Sequence, residues 1–447
     1  LNLRLFLLTK SPIKFASQDS EGLRSRWAAL EALEAVLENR RTINIALDNA
    51  TGWRKLKSED RAFTKFLILE TVRHLPEIDQ IYSNFLSRPL PRRTHRLKHL
   101  LRLGTAQLVF LKTPPHAAVN TTVALAEQLL SQKFKGLVNA LLRKIARSSG
   151  RLSPDKSARI NTPDWLWKSW RKTYGEENTL KIAQQHLELA PTDLTVAKTS
   201  PELASHLNAE TLESGSLRCR DFGNPADWWG YADGRWWVQD SAAALPIKLI
   251  GDVRGLNVID LCAAPGGKTA QLALGGANVV SLDSSKLRSE TLKANMKRLG
   301  LTSNTIVSDL RDWEPSITAD LVVLDAPCTA TGTCRRHPEI LRLRCSEDVH
   351  KMVRIQKNLL DAGAAMVPNG GTLLYITCSL QPEEGPDQVT DFLNRWTNFA
   401  RSPFKPLTWK GLEGVIDMNG ALRTLPFHWS SRGGMDGFFA AALKRIY

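Results

Sequence analysis

Strand-like and helix-like segments alternate along the second half of the chain, from about residue 238 to residue 447. This alternation is typical of a parallel sheet with helices packed on both faces. The strand candidates are 257–261, 278–282, 304–307, 320–324 and 371–376, and the helix candidates are 267–274, 286–299 and 348–366. The sequence therefore predicts an α/β domain over this half of the chain.

Three of the predicted strands end in loops that carry reactive or ligand-binding residue types. The first runs into the glycine-rich stretch 262–269, the second is followed by Asp325 and Cys328, and the third ends shortly before Cys378. If these strands are parallel neighbours, all three loops open at one edge of the sheet, where α/β proteins bind ligands. Two thiols and a carboxylate beside a glycine turn indicate covalent chemistry on a substrate.

The glycine turn predicts a binding site for a nucleoside-bearing cofactor. Gly266 and Gly267 allow a sharp turn and a close approach of the backbone to a ligand. A phosphate-binding loop is disfavoured, because Cys262 stands where that motif has its first glycine. Asp283 and Asp309 follow the next two strands, where carboxylates accept hydrogen bonds from ribose hydroxyls or face an adenine edge.

The paired cysteines suit methylation of carbon 5 of a pyrimidine. That carbon becomes nucleophilic only after a thiolate adds to carbon 6, and the adduct must later lose a proton and expel the thiolate. Cys378 and Cys328 suit the two thiol tasks, and Asp325 suits contact with the base edge. A single cysteine is more often a small buried apolar residue, so the interpretation depends on the pair.

A zinc site is an alternative use of the cysteines. Cys328, Cys334, His337 and Cys345 are possible ligands, but their spacing does not form paired zinc knuckles. Six cysteines in 447 residues are too few for a disulfide framework. We therefore expect no metal, reduced thiols and a cytoplasmic location.

The charge of the chain indicates a polyanionic partner. The net charge is +15, with 43% hydrophobic and 23% charged residues, which favours a globular protein that binds nucleic acid. No apolar run is long enough for a transmembrane helix. Residues 22–150 show helical periodicity, and their basic residues form either an RNA-facing surface or an ordinary solvated face: Arg92, Arg93, His95, Arg96, Lys98, Lys133, Lys135, Arg143, Lys144 and Arg147.

Two further regions are less regular. Residues 151–237 are predicted to form a small mixed α+β segment that contacts RNA. Its tryptophans are expected in the core or, alternatively, stacked on bases: Trp165, Trp167, Trp170, Trp228, Trp229, Trp236 and Trp237. Residues 1–21 are interpreted as a disordered tail, with a transit peptide or an early start site as alternatives.

The three loop motifs resemble those of the S-adenosylmethionine-dependent RNA (cytosine-5)-methyltransferases of the Sun, or Nol1/Nop2, family. The motifs are residues 260–269, 325–328 and 377–379. The likeness extends to 238–240, 335–338, Gln356, 382–384 and 436–439. It implies a Rossmann-like methyltransferase domain.

The helical first part is similar to NusB-like RNA-binding domains, through 102–104, 107–108 and 138–143. A NusB-like domain joined to this catalytic domain is similar to bacterial 16S ribosomal RNA (cytosine-5)-methyltransferases of the RsmB type. The resemblance implies 16S ribosomal RNA as partner, free or in an early particle, with neither a membrane nor a stable protein partner.

The resemblance also implies roles for individual residues. Cys378 would be the nucleophile, Cys328 would assist product release, and Asp325 would contact the target base. The cofactor would be S-adenosyl-L-methionine, with these binding residues: Cys262, Ala263, Ala264, Pro265, Gly266, Gly267, Lys268, Asp283, Asp309 and Asp325.

The chain departs from the family pattern in two places. An Arg-Val-Asn strand is replaced by residues 195–197, which puts the RNA contacts there in doubt, and residues 241–244 replace a more polar run. Two other classes of function compete with a methyltransferase. An RNA-binding factor without catalysis conflicts with the intact thiols, and a nicotinamide-dependent enzyme conflicts with the lack of a G-x-G-x-x-G turn.

Overall fold

The computed structural model describes residues 21–91, 94–130, 132–148, 150–197, 201–220, 223–315 and 317–447. Nearly all of the predicted tail, 1–21, lies outside these residues, as do Arg92, Arg93 and the side chain of Lys133. The chain divides into two compact units, Leu1–Leu152 and Ser153–Tyr447. No helix in the described ranges is long and apolar enough to cross a membrane.

The first unit consists of helices, as its periodicity predicted. Their apolar stripes meet in one core, in which residues such as Leu33, Leu67, Leu100 and Leu142 are almost completely buried. The helices are α1 (Glu21–Leu37), α2 (Ile43–Asp48), α3 (Ser58–Arg73), α4 (Leu75–Ser83), α5 (His95–Val109), α6 (Pro115–Leu129) and α7 (Gln132–Ala146).

The basic residues of this unit are divided between ion pairs and solvent. Arg96 pairs with Glu34 and Lys135 with Glu127, at 2.8 and 2.7 Å. The side chains of Arg143, Lys144 and Arg147 are exposed near the end of α7. This end of α7 therefore presents positive charge to solvent, where a polyanion can bind.

The second unit begins with two helices and a small antiparallel sheet. The elements are α8 (Pro154–Asn161), α9 (Asp164–His186), β1 (Thr192–Val196), α10 (Pro201–His206), β2 (Ala209–Thr211), β3 (Leu217–Cys219) and β4 (Trp236–Val238). The strand order is β2-β3-β1-β4. A buried ion pair links β1 to β3, because Arg218 donates to both carboxylate oxygens of Asp193 at 2.7 and 2.8 Å.

The tryptophans of this region lie mostly in the core. Trp170, Trp236 and Trp237 are buried. Trp229 is 38% exposed, and its ring stacks on His206 at 4.3 Å. Core packing is therefore the main role of these side chains.

The main sheet and the helices packed against it form the rest of the second unit. Its elements are α11 (Ser241–Ile250), β5 (Asn257–Leu261), α12 (Gly267–Leu274), β6 (Asn278–Asp283), α13 (Lys286–Leu299), β7 (Asn304–Val307), β8 (Leu321–Asp325), α14 (Ile340–Leu343), α15 (Ser346–Ala365), β9 (Thr372–Thr377), α16 (Pro386–Arg395), β10 (Phe399–Arg401), β11 (Leu422–Arg423) and β12 (Phe439–Arg445). The strand order is β10-β12-β9-β8-β5-β6-β7, with β11 paired to β12.

The sheet is mixed and not purely parallel. Strands β5 to β9 are parallel to their neighbours as predicted, and each predicted strand agrees with the structure to within one residue. The prediction omitted β10, β11 and β12, and β12 is antiparallel to both β9 and β10. Strand β12 contains three consecutive alanines, which have little preference for strands, and this explains its omission. The structure thus has the predicted α/β architecture with a helical first part.

Candidate active site

The three motif loops lie at one edge of the main sheet. Strand β8 lies between β9 and β5, and all three are parallel. The chain proceeds from β5 to β6 and β7 on one side, and β8 and β9 lie on the other side. The change of direction between β5 and β8 opens the crevice in which α/β proteins bind ligands.

The two predicted catalytic thiols are in contact. The Sγ atoms of Cys328 and Cys378 are 3.4 Å apart, and both side chains are half-buried. The hydrogen bond with Cys378 raises the pKa of Cys328 well above its ordinary value, and burial and the nearby charges of Cys378 and Glu384 act in the same direction. Cys328 is therefore held as a neutral thiol beside the proposed nucleophile.

A buried carboxylate, Glu384, joins the loops that carry the thiols. It accepts hydrogen bonds from the backbone N–H of Thr329 at 2.8 Å, from the Thr329 hydroxyl and from the Ser379 hydroxyl. Gln356 donates to the same carboxylate at 3.0 Å and to the carbonyl of Pro327 at 2.9 Å. Thr329 and Ser379, which follow the two cysteines, are thus hydrogen-bonded to the same carboxylate. The sequence assigned Glu384 no role, because nothing in it distinguishes this residue from Glu383.

Asp325 lies at the end of β8 and forms an ion pair with the cofactor loop. The Nζ atom of Lys268 donates to Oδ2 of Asp325 at 2.7 Å and lies 5.4 Å from the ring centre of Phe438. Lys268 is buried, whereas 35% of the Asp325 side chain is exposed. The pair leaves a carboxylate accessible at the edge of the sheet beside the predicted base site.

A cleft of about 350 Å³ opens beside these loops. Its size is within the usual range for small-molecule sites. The lining combines two carboxylates, hydroxyls and apolar side chains: Cys262, Leu282, Asp283, Ser284, Ser308, Asp309, Leu310, Arg311, Pro327, Ile355, Asn358 and Leu359. The predicted cofactor residues Cys262, Asp283 and Asp309 are therefore close together.

The first of the cleft's carboxylates is held by backbone and an arginine. Asp283 accepts hydrogen bonds from the N–H groups of Ala264 and Ser285, at 3.2 and 2.9 Å, and Arg288 lies 3.4 Å from it. Arg288 also donates to the carbonyl of Ala264. Asp283 therefore ties the end of β6 to the glycine turn.

The second carboxylate is paired with a neighbouring guanidinium. Arg311 donates to both oxygens of Asp309, at 2.9 and 2.6 Å. These bonds hold the pKa of Asp309 well below its ordinary value. An adenine edge that binds Asp309 would therefore either share the carboxylate with Arg311 or displace Arg311 from it.

The glycine turn adopts a conformation that its sequence requires. Gly266 has φ of +102°, which L-residues rarely adopt, and a Cβ there would lie 3.0 Å from Leu292. Gly267 begins α12, so the N-terminus of that helix faces the loop. Ala263 and Ala264 are buried, and the carbonyl of Pro265 accepts from Asn295 at 3.0 Å.

Cys262 differs chemically from the thiol pair. Burial, together with the charges of Asp325 and Asp283, raises its pKa to about 12. A thiol of this kind does not ionise near neutral pH, so Cys262 is suited to packing against a ligand and not to nucleophilic attack.

Asp260, which the sequence assigned no chemical role, is buried beneath the same turn. One of its oxygens accepts from the Thr269 hydroxyl at 2.6 Å, whereas Oδ1 has no hydrogen-bond partner among the described residues. Burial raises its pKa to about 7, an effect that the Thr269 bond opposes and the charge of Asp325 reinforces. Asp260 is thus a titratable group buried directly beneath the predicted cofactor loop.

The residues weighed as zinc ligands do not form a cluster. Cys334 is buried and donates to the carbonyl of Thr331 at 3.2 Å, and Cys345 is exposed beside Asp348. Among the described residues, no three His, Cys, Asp or Glu side chains converge as a metal ion would require.

Sequence comparisons identify the family. The sequence model described as "16S rRNA methyltransferase RsmB/F" matches residues 251–444, and that of the "NusB family" matches residues 23–147. Ribosomal RNA small subunit methyltransferase B of Vibrio vulnificus is 32% identical over 439 residues, which cover 94% of this chain and 99% of the relative. The chain belongs to the ribosomal RNA small subunit methyltransferase B family.

Solved structures agree with this assignment. The crystal structure of PH0851 shares the fold, with a TM-score of 0.74 at 23% identity, over 95% of this chain and 98% of the other. A methyltransferase homolog from Pyrococcus horikoshii has a TM-score of 0.53 at 26% identity, over 66% of this chain and 100% of the other. The predicted Rossmann-like methyltransferase domain and NusB-like domain are thereby confirmed.

The family uses S-adenosylmethionine, and the cleft has the chemistry to hold it. Carboxylates such as Asp283 and Asp309 can accept hydrogen bonds from hydroxyl and amino groups, and Leu310, Pro327 and Ile355 give the cleft apolar walls. As a member of this family, the chain is an S-adenosylmethionine-dependent methyltransferase.

Proposed function

We propose that the enzyme methylates carbon 5 of a cytidine in 16S ribosomal RNA through a covalent adduct with Cys378. The observation that carries this proposal is the 3.4 Å contact between the Sγ atoms of Cys328 and Cys378 beside the cofactor cleft. The relatives are named as methyltransferases of small-subunit ribosomal RNA, which supports the choice of substrate.

The proposed first step is addition of the Cys378 thiolate to carbon 6. The sulfur–carbon bond forms as the electrons of the carbon 5–carbon 6 double bond move toward carbon 5. S-adenosylmethionine, when bound, supplies the methyl group that carbon 5 then takes. Asp325 holds the base edge, with Lys268 fixing its carboxylate from the other side.

Cys328 is proposed to act in the second half of the reaction. Its bond with Cys378, the largest cause of its raised pKa, is lost once Cys378 is bonded to carbon 6. Cys328 can then release its proton to water and, as a thiolate, remove the proton from carbon 5. The electrons of that carbon–hydrogen bond restore the double bond, and the sulfur of Cys378 leaves as a thiolate.

The RNA is proposed to contact both units. Exposed Arg143, Lys144 and Arg147 in the NusB-like unit provide phosphate-binding charge, and we propose contacts from residues 151–237 as well, with the domain limits given by the sequence. A thiol reaches carbon 6 only when the base is outside its stack, so an unpaired or splayed cytidine is the expected target.

The direct test is transfer of labelled methyl from S-adenosylmethionine to 16S ribosomal RNA, supplied either as free RNA or in small-subunit particles. Mass spectrometry of the nucleosides should show 5-methylcytidine, and bisulfite sequencing should locate it. Methylation on a ribose or on an exocyclic nitrogen would contradict the mechanism. A preparation that binds RNA without any transfer would favour a purely RNA-binding role.

A further inference from the structure

Glu384 occupies an unusual position between the two thiol loops. Its side chain is fully buried at the end of the short helical turn Pro382–Glu384. Its backbone carbonyl accepts hydrogen bonds from two side chains of β9, the Tyr375 hydroxyl at 2.9 Å and the Thr377 hydroxyl at 3.2 Å. Glu384 is therefore fixed to the strand that ends at Cys378.

The two carboxylate oxygens of Glu384 serve different parts of the site. Oε1 accepts from the Thr329 N–H and from Gln356, so this oxygen holds the backbone that follows Cys328. Oε2 accepts from the hydroxyls of Thr329 and Ser379, so it joins the residues that follow the two thiols. The hydroxyl oxygens of Thr329 and Ser379 also lie 3.2 Å apart, within hydrogen-bond distance of each other.

The charge of Glu384 also acts on Cys328. It is one of the causes that raise the pKa of Cys328, after the hydrogen bond with Cys378, burial and the charge of Cys378. Before the reaction the carboxylate thus helps to keep Cys328 neutral, and the largest cause of the raised pKa is removed only when Cys378 bonds to carbon 6. Glu384 does not line the cofactor cleft, so its effect is confined to the thiol side of the site.

We propose that Glu384 is a positioning residue for the two-thiol reaction, which fixes Cys328 against Cys378 so that the methylated product can be released. This inference rests on the proposed covalent mechanism. Addition to carbon 6 needs only Cys378, whereas release needs Cys328 at a defined place beside it. Loss of the Glu384 bridge should therefore slow release more than addition.

The test uses Glu384→Gln in the full chain. The amide keeps an oxygen for the Thr329 N–H and Gln356 but places an NH₂ group where Oε2 accepts from the two hydroxyls. Steady-state turnover should fall by about tenfold or more, because small displacements of reacting groups have effects of this size. A covalent protein–RNA species that survives denaturing electrophoresis should accumulate, and S-adenosylmethionine binding should change by less than about threefold.

The matched control is Glu383→Gln, the same chemical change one residue earlier. It should turn over like the wild type without a covalent species. The inference is overturned if Glu384→Gln behaves like this control, or if it loses turnover without accumulating the adduct. If Glu384→Gln does not fold, Ser379→Ala, which removes one hydroxyl donor, decides between the same two outcomes. A wild-type enzyme that makes no 5-methylcytidine would instead contradict the proposed function itself.

Discussion

The thiol pair and the cofactor cleft lie side by side on one sheet edge, yet they are built differently. Around Cys328 and Cys378 the hydrogen bonds connect buried groups, and Glu384 is shared between both loops. In the cleft, the carboxylates are partnered by arginines that are 55% and 64% exposed, Arg288 and Arg311. Exposed ion pairs contribute little to stability and are readily exchanged. Buried hydrogen bonds thus join the residues that follow the two thiols. In the cleft, we expect Arg288 and Arg311 to exchange partners when a ligand enters, while buried Asp283 stays bonded to two backbone N–H groups.

The largest effect is expected from Cys378→Ala. The variant should lose turnover by at least about a thousandfold and form no covalent RNA complex, because Cys378 is the proposed nucleophile and burial disfavours ionisation of the neighbouring Cys328. Methyl transfer and denaturing electrophoresis measure both results. Exposed Cys345→Ala is the control and should behave as wild type. A covalent complex in Cys378→Ala would mean that the nucleophile is another cysteine.

Cys328→Ala should separate the two thiols. Addition and methylation can proceed, but proton removal and expulsion lose their helper, so turnover should fall by about a hundredfold. A covalent protein–RNA band should accumulate. The double variant with Cys378→Ala should show no band. Normal turnover by Cys328→Ala without any adduct would leave Cys328 a packing residue only.

The cleft offers a direct contrast. Asp283→Asn should weaken S-adenosylmethionine binding by about tenfold, through loss of a charged acceptor for ribose hydroxyls. Arg311→Ala should alter it by less than about threefold, because the arginine is a displaceable partner of Asp309. Calorimetry measures both. An equal loss of S-adenosylmethionine affinity in Asp283→Asn and Arg311→Ala would show that the ion pairs of the cleft are held as firmly as the thiol site.

The NusB-like unit should affect RNA and not the cofactor. Charge reversal at Arg143, Lys144 and Arg147 should lower RNA affinity by about tenfold and flatten its dependence on salt, since fewer counterions are released on binding. Binding assays over a range of salt concentrations measure the slope. Reversal at Lys405 and Lys410, which lie in the other unit, is the comparison. An unchanged slope in the triple variant would exclude this end of α7 from the RNA interface.

The last prediction concerns Asp260 and stability, and not activity or binding. Its pKa is raised from 3.8 to about 7, so from pH 4 to 7 the unfolded chain ionises this group while the folded chain retains its proton. The free energy of unfolding should therefore decrease as the pH rises across that window, by up to about 4 kcal/mol from this residue. Asp260→Asn should lack that component. Denaturation curves at pH 4.5 and pH 8 give the free energy of unfolding of each protein. If it changes equally between the two pH values in the wild type and in Asp260→Asn, the assignment is contradicted.

The sequence predicted the parts of the site that depend on strand ends. Cys328, Cys378 and Asp325 follow apolar runs whose parallel pairing places them together, and the glycine turn is recognisable from its residues. The sequence did not predict Glu384, because its role depends on how a short turn folds back onto two loops. The pairing of Lys268 with Asp325 was also missed, since it joins residues far apart in the chain. Strand β12 was missed because its alanines carry no strong strand preference.

The place of β12 in the chain, after all the other strands of the main sheet, affects how the enzyme folds during its synthesis. Residues Phe439–Lys444 pair along the whole of β9, from Thr377 back to Thr372. A ribosome therefore releases both cysteines, the glycine turn and the NusB-like unit before the strand that supports β9 has been made. Until then the loop that carries Cys378 follows a strand that lacks one of its two neighbours. We therefore expect a chain truncated before Phe439 to lose methyl transfer, because β9 would be left as an unpaired edge strand.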